Sequence, residues 1–396
     1  MNCLQRARRA VRLLGHATIG LVLAPILFIV SIIRPFRIGA INGMRIGHLS
    51  FESSQYRALY AGKPGHVFFL SGPICNVSAG KIFTRGLLIL PECLLRVPFS
   101  VFRRSRILRD QLTIEPVGYQ FDSGGRVYKL DSPVFSEFEL GKAKEQIAAL
   151  PIDSELPWVT LHVRDQHYLD AQYGRALTSH HDYRDASVDN YEALVSLLVA
   201  AGFMVLRVGS SKSPPAGFDL RGYYDYGLHS ATPLLDLYII RLSRFMIATN
   251  SGPSNIAYCF KIPILYVNVC PVLGNYGFAW NQHITIFKKY YSRRLGRLLD
   301  LSEIFFMGLG MAGETSEFDE HEITLIENTS EEIAQAGAEF LVMLEGKCDL
   351  NDADQQLLER YRNVILEVHQ GGRNYDRSLI PTPAVCFLKS NPWLLR

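Results

Sequence analysis

The segment TLHVRDQHY, residues 160–168, starts as an apolar strand and runs directly into His162, Arg164 and Asp165. An arginine in such a place can fork its N–H groups onto phosphate oxygens. An aspartate or histidine beside it can accept a proton from a hydroxyl group, and histidine has the better-placed intrinsic pKa. Both have plainer uses: Arg164 can pair with a neighbouring carboxylate such as Asp165, and His162 can be an ordinary buried histidine. A second stretch, TNSGPSN at 249–255, reads as the end of a strand turning into a helix. Thr249 and Asn250 lead into the turn, Gly252 lets backbone approach a ligand, and Pro253 suits the first helical turn. Free N–H groups there, with the Ser251 and Ser254 hydroxyls, can cradle a phosphate or diphosphate, although an ordinary helix cap has the same pattern. The turn is neither GxxxxGK nor GxGxxG. Arg207, at the end of FMVLRVG, is a second diphosphate partner or a salt-bridge residue. His48, expected in the turn after the first strand of the earlier region, either faces the site from there or is a loop or cap histidine.

These residues need a scaffold that delivers them to one edge. WVTLHV, FMVLRVG (203–209), FMIAT (245–249), PILYVN (263–268) and ITIF (284–287) read as strands. The helices between them are ASVDNYEALVSLLVAAG, capped by Ser187 and stopped by Gly202, TPLLDLYIIRLS, opened by Thr232 and Pro233, and PSNIAYCF. SEEIAQAGAEFLVMLEG, capped by Ser330, closes the series. Strands alternating with helices predict a parallel sheet covered on both faces. Ligands of such sheets lie beyond the carboxyl ends of the strands, where His162, Arg164, Asp165, Arg207 and the 249–254 turn all fall. Upstream, RIGHLSF, HVFFLSG (66–72) and GLLILP (86–91) predict strands, and SPVFSEFELGKAKEQIAAL a helix capped by Ser132. The division expected is 1–37, 38–152, 153–347 and 348–396, the last a helix and tail packing back on the body.

A chain of 396 residues is too long for one ordinary core, and 48% hydrophobic with 20% charged residues describes a globular protein. Seven cysteines without a CxxC pair argue against a disulfide framework and a structural zinc site. No HExxH, GxSxG or kinase signature is present, and the Asp352/Asp354 pair opens a helix-like run, so no metal or cofactor is expected. Seven of the 41 Lys and Arg residues lie before Glu52, the first acid, and the other 34 face 38 acidic residues. The body is therefore slightly acidic, which excludes a broad nucleic-acid surface. Residues 13–33 are uncharged and apolar between arginines, and predict membrane association of residues 1–37 by a span or, with Pro25 as a break, a re-entrant hairpin. LLRVPFSVFRRSRILRD (94–110) is a second membrane contact or a solvated basic helix. An inner-membrane location with the body facing the cytoplasm follows.

The blocks LHVRDQHY, YRDASVDNYEALVSLLVAAGFMVLRVG, Asp225-Tyr226, IATNSGPSNIAYCFKIPILYVN and IENTSEEI occur in one order, together with the early RIGHLSF and the tail FLKSNPWLL. As a set they resemble a bacterial glycosyltransferase family of the GT-B fold associated with surface polysaccharides. The resemblance runs from about residue 45 to the C-terminus. It implies two Rossmann-like α/β domains facing a cleft, and a metal-independent transfer of sugar from a nucleotide-diphosphate sugar to a hydroxyl acceptor such as a saccharide or lipid-linked saccharide. HVRD is also similar to the His-x-Arg-Arg motif of fucosyltransferases, which implies a diphosphate role for Arg164. Residues 249–254 then hold the donor phosphates, with Arg207, Asp225 and Tyr226 in the same pocket. The single arginine, flanked by Val163 and Asp165, does not support fucose as donor. Asp185 stands where the family more often has asparagine and is read as a loop support. Two rivals use the same features: a nucleotide-sugar epimerase on this scaffold, and a non-catalytic membrane scaffold.

Overall fold

The structure, a computed structural model, describes residues 22–114, 130–175, 178–274, 282–347, 349–369 and 380–396. The arginines before residue 13 and residues 13–21 of the apolar run lie outside these residues. Among the described residues no helix is long and apolar enough to cross a membrane. The described chain divides into two compact units, one of residues 22–114 and 130–136 and the other from residue 137 onward.

In the first unit β1 (Arg37–Asn42) pairs in parallel with β2 (His66–Ser71) and with β3 (Thr113–Ile114). Gly39 is required in β1, because a Cβ there would sit 2.5 Å from the Phe68 ring. HVFFLSG is a strand as expected, whereas GLLILP contributes only an isolated bridge from Ile89 to Phe68. RIGHLSF is not a strand: it opens the helix Ile46–Tyr60. That helix is buried from Leu49 to Arg57, so no polar face marks its period. RIGAIN, not RIGHLSF, takes the place beside HVFFLS. The basic stretch after residue 91 forms the helices Glu92–Arg104 and Arg106–Leu112. The helix expected after Ser132 starts instead at Glu137 and ends at Ala148 in the second unit, where Gln146 accepts a hydrogen bond from Thr232.

The second unit is built on six parallel strands: β4 (Trp158–His162), β5 (Met204–Arg207), β6 (Tyr223–Tyr224), β7 (Met246–Ala248), β8 (Ile264–Val269) and β9 (His283–Phe287). They lie in the order β6-β5-β4-β7-β8-β9. Val159, Leu161, Val205, Ile247 and Leu265 are fully enclosed, as in a sheet covered on both faces, and this is why the strands lack polar-out alternation. The crossover helices match the sequence closely. Thr232 Oγ1 accepts from Leu235 N to cap Pro233–Leu242. Ser187 caps a single 3₁₀ turn, Val188–Tyr191, before the helix Glu192–Ala200. Thr329, one residue earlier than expected, caps Ser330–Leu344 through a reciprocal bond with Glu332. A small antiparallel sheet of β10 (Lys289–Ser292), β11 (Arg297–Leu298) and β12 (Ile323–Ile326) has no counterpart in the sequence reading. The C-terminal helix Asp352–His369 packs on Leu301–Phe306, and Pro383 bridges to Thr285 of β9.

A buried asparagine pair fixes the carboxyl end of β8. Asn268 N donates to Asn328 Oδ1 at 2.8 Å, and Asn328 N donates to Asn268 Oδ1 at 2.6 Å. Asn268 has φ 55°, a left-handed conformation that asparagine tolerates, at a register shift in the strand. The chain beyond is thereby aimed at the neighbouring loop, where Cys270 O accepts from Asn250 Nδ2 at 2.8 Å.

Candidate functional site

Renumbered along the second sheet alone, its strands run 3-2-1-4-5-6, the order of nucleotide-binding doubly wound sheets, with the chain reversing direction between β4 and β7. In open parallel sheets that reversal opens a crevice beyond the carboxyl ends of the two strands. Here the loops at those ends are tied together. Thr249 N donates to His162 O at 3.2 Å, and Arg164 N donates to Thr249 Oγ1 at 3.1 Å. Arg164 and the 249–254 turn are thus neighbours, as their sequence positions predict.

The Arg164 side chain is only 8% exposed and pairs with Asp185, itself 23% exposed. Asp185 follows the 3₁₀ helix Ser179–Arg184, and its backbone oxygen accepts from Lys288 Nζ. Lys288 stands immediately after β9 and is buried. Burial lowers the pKa of Arg164, and the nearby Arg184 guanidinium lowers it further. Burial likewise lowers that of Lys288, with Arg164 acting in the same direction. Arg184 lies over the Tyr183 ring at 5.3 Å, and its Nε is enclosed without a hydrogen-bond partner among the described residues. Three cations therefore converge where Asp185 is the carboxylate in direct contact. Burial pushes the Asp185 carboxyl up to about 6 against the pull of Arg164. Asp182, another nearby acid, is engaged by Arg175 at 3.0 Å. Positive charge held this far from water favours a multiply charged anion such as a diphosphate.

The other expected residues divide clearly. His162 is half-buried; its Nδ1 bonds Val208 O at 3.1 Å, and loss of solvation brings its pKa down to about 4, so the ring is neutral near pH 7. Asp165 Oδ1 accepts from His167 N at 2.8 Å and contacts the His167 ring at 3.2 Å, an aspartate turn leading into His167–Tyr173. Arg207 is occupied, donating to Asp225 at 2.7 Å and to Pro214 O at 2.8 Å, with both members of the pair nearly enclosed. The salt-bridge alternative is the one the structure displays for Arg207. Asp225 also caps Tyr226–His229, and the Tyr226 hydroxyl donates to Asp236 at 2.9 Å inside the core. These three residues brace β5 and β6. His48 is not in a turn after a strand: it lies in the first turn of Ile46–Tyr60 in the other unit, 2.8 Å from Glu52.

The 249–254 turn is held largely by its own polar atoms. Ser251 Oγ donates to Thr249 O at 3.2 Å, Ser254 Oγ donates to Ser251 O at 2.7 Å, and Asn250 is committed to Cys270. Gly252 and Pro253 form the first turn of Gly252–Cys259. What this turn can offer an anion is backbone N–H and the positive end of the helix, with its hydroxyls serving to hold that shape. Arg184 and Lys288 escaped the sequence reading. The signals for them were YRD, where the aspartate drew attention and the preceding arginine did not, and a lone lysine ending the apolar run ITIFK. Among the described residues no three His, Cys, Asp or Glu side chains are gathered as metal ligands would be.

No protein-family model matches the chain, and no curated protein matches it in sequence. Several solved structures are similar to it at a distance. The ADP-heptose lipopolysaccharide heptosyltransferase II of E. coli is 13% identical at a TM-score of 0.47, covering 78% of this chain and 100% of its own. A family 9 glycosyltransferase from Veillonella parvula is 7% identical at 0.42, covering 78% and 98%. The iron-containing dodecameric glycosyltransferase TibC of enterotoxigenic E. coli is 12% identical at 0.40, covering 78% and 77%.

Proposed function

We propose that this chain is a GT-B glycosyltransferase that moves a sugar from a nucleoside-diphosphate sugar to a hydroxyl acceptor, with the donor held in the second unit. The observation that carries the reading is the convergence of Arg164 and Lys288 on Asp185, with Arg184 beside Arg164. It lies at the strand reversal where doubly wound sheets bind nucleotides. In the reaction the acceptor oxygen bonds to the anomeric carbon while the bond from that carbon to the diphosphate oxygen breaks. The electron pair leaves with the nucleoside diphosphate. The growing negative charge falls on the three cations and the first turn of Gly252–Cys259, a task that other enzymes give to a metal ion.

The acceptor's proton goes to Asp165. One oxygen of that carboxylate is held by His167, which orients the group, whereas His162, with its pKa near 4, is too weak a base at neutral pH. The first unit, with His48, is assigned to the acceptor, a saccharide or lipid-linked saccharide of cell-surface polysaccharide assembly.

A transfer assay over a panel of nucleotide sugars and saccharide acceptors tests the reading. Arg164→Ala should lower turnover by about 10² or more, the usual cost of losing one preorganised charge contact. Near-normal transfer by a folded Arg164→Ala protein refutes the assignment. Conversion of the donor to an epimer without any acceptor refutes the transfer step.

A further inference from the structure

In the first unit, residues 22–33 form a helix whose packed stripe is narrow. Ala24 is buried and Leu27 partly so, and both join the cluster of Leu95, Phe99 and Phe102 from Glu92–Arg104. The rest of that helix is apolar and bare: Ile26, Phe28, Ile29, Val30, Ile32 and Ile33 are between 41% and 82% exposed. A helix apolar on every side is stable only when something apolar covers it, and a contiguous exposed patch of this kind marks an interaction surface.

The adjoining helices in the same cluster carry the complementary charge. Arg104 and Arg106 are exposed, Ile107 between them and Arg109 is 70% exposed, and the Arg103 guanidinium lies over the Phe99 ring at 5.4 Å. Arg34 and Arg37 close the other end of the bare helix and are exposed as well. The two acids of these helices are already matched, Glu92 by Arg96 at 3.0 Å and Asp110 by Arg109 at 3.3 Å. Apolar side chains without charge on one surface, rimmed by arginines, match a bilayer interface with anionic headgroups.

We infer that the helix 22–33 and the arginines of Glu92–Arg104 and Arg106–Leu112 form one surface that docks on an anionic membrane. This inference is independent of the donor-site reading, since it concerns the other unit and its test measures no activity.

The test is flotation of the full chain with vesicles of phosphatidylcholine alone or with a third phosphatidylglycerol. The expected result is strong binding to the anionic vesicles, weakened by salt. The double variant Arg104→Glu/Arg106→Glu should lose about thirtyfold or more in partitioning, from the loss of two headgroup attractions. Ile29→Ser/Ile33→Ser should lose about tenfold or more. Both pairs are exposed, so folding is preserved, and circular dichroism checks this. Equal binding to neutral and anionic vesicles, or variants that bind like the wild type, would overturn the proposal. So would a stable dimer without vesicles whose contact is abolished by Ile29→Ser/Ile33→Ser, because a second copy would then own the surface.

Discussion

Replacing Asp185 by asparagine isolates the competition on which the donor site rests. Two opposed terms set its effect on stability. Removing one partner of a buried ion pair costs about 3–5 kcal/mol, because the other charge is left uncompensated. Against this, the carboxyl's own rise from 3.8 to about 6 means that burying it ionised already costs about 3 kcal/mol. The difference leaves a loss of about 0–2 kcal/mol, or a fall of several degrees at most in the melting temperature. The effect on ligand binding has the other sign. In the wild type a diphosphate must displace the Asp185 carboxylate from Arg164, whereas in Asp185→Asn it meets three cations and no carboxylate in contact. Nucleotide-sugar affinity should therefore rise by about tenfold or more, equivalent to ~1.4 kcal/mol of extra ligand-induced stabilisation. Thermal unfolding with and without nucleotide sugar reads both quantities in one experiment. A nucleotide sugar is the right probe because its diphosphate does not titrate near Asp185. The wild type should also bind more tightly below pH 6 than at pH 8, as Asp185 takes up its proton, and the variant should lose this dependence. An Asp185→Asn protein that gains no more from the ligand than the wild type would refute the reasoning.

Three further outcomes follow from named groups. Lys288→Met should weaken nucleoside diphosphate binding by about 10-fold or more in calorimetry while leaving the fold intact, since methionine suits the buried stem. Asp165→Asn and Asp165→Ser should both lose kcat by about 10² or more. Serine can still accept from His167 N in the same turn, so activity retained in Asp165→Ser alone would assign Asp165 to holding that turn rather than to proton transfer. Burial raises the Asp236 carboxyl to about 7 from 3.8. The stability this contributes is complete below pH 3.8 and is lost as the pH rises through about 7. Asp236→Asn, which keeps an acceptor for the Tyr226 hydroxyl, should flatten the decline in melting temperature between about pH 4 and 7.

The second unit was legible in the sequence because its signals agree. Continuous apolar strands, Thr232 before Pro233, and Gly202 closing a helix each point to the same parallel sheet, and the strand ends then locate the site. The first unit was harder. RIGHLSF has apolar residues spaced like a short strand, yet it lies in a helix enclosed on nearly all sides, where neither a period of two nor one of 3.6 survives. RIGAIN escaped notice because its Gly39 lowers strand propensity while being required beside Phe68. Within the site, Arg164 and the 249–254 turn were readable from local pattern. The partners of Arg164 were not, because Asp185 and Lys288 come from separate crossovers and meet it only through the fold. Arg207 illustrates the converse: its position at a strand end suggested a ligand, but Asp225, 18 residues on, returns beside it and claims its charge.

The most direct test of the central claim is calorimetric titration of the full chain with nucleoside diphosphates in the presence of a chelator, comparing wild type with Arg164→Ala. The account predicts one-to-one binding of at least one nucleoside diphosphate without metal, falling by about a hundredfold or more in the variant. A folded wild type that binds none of them, or an Arg164→Ala protein that binds as tightly, would contradict it.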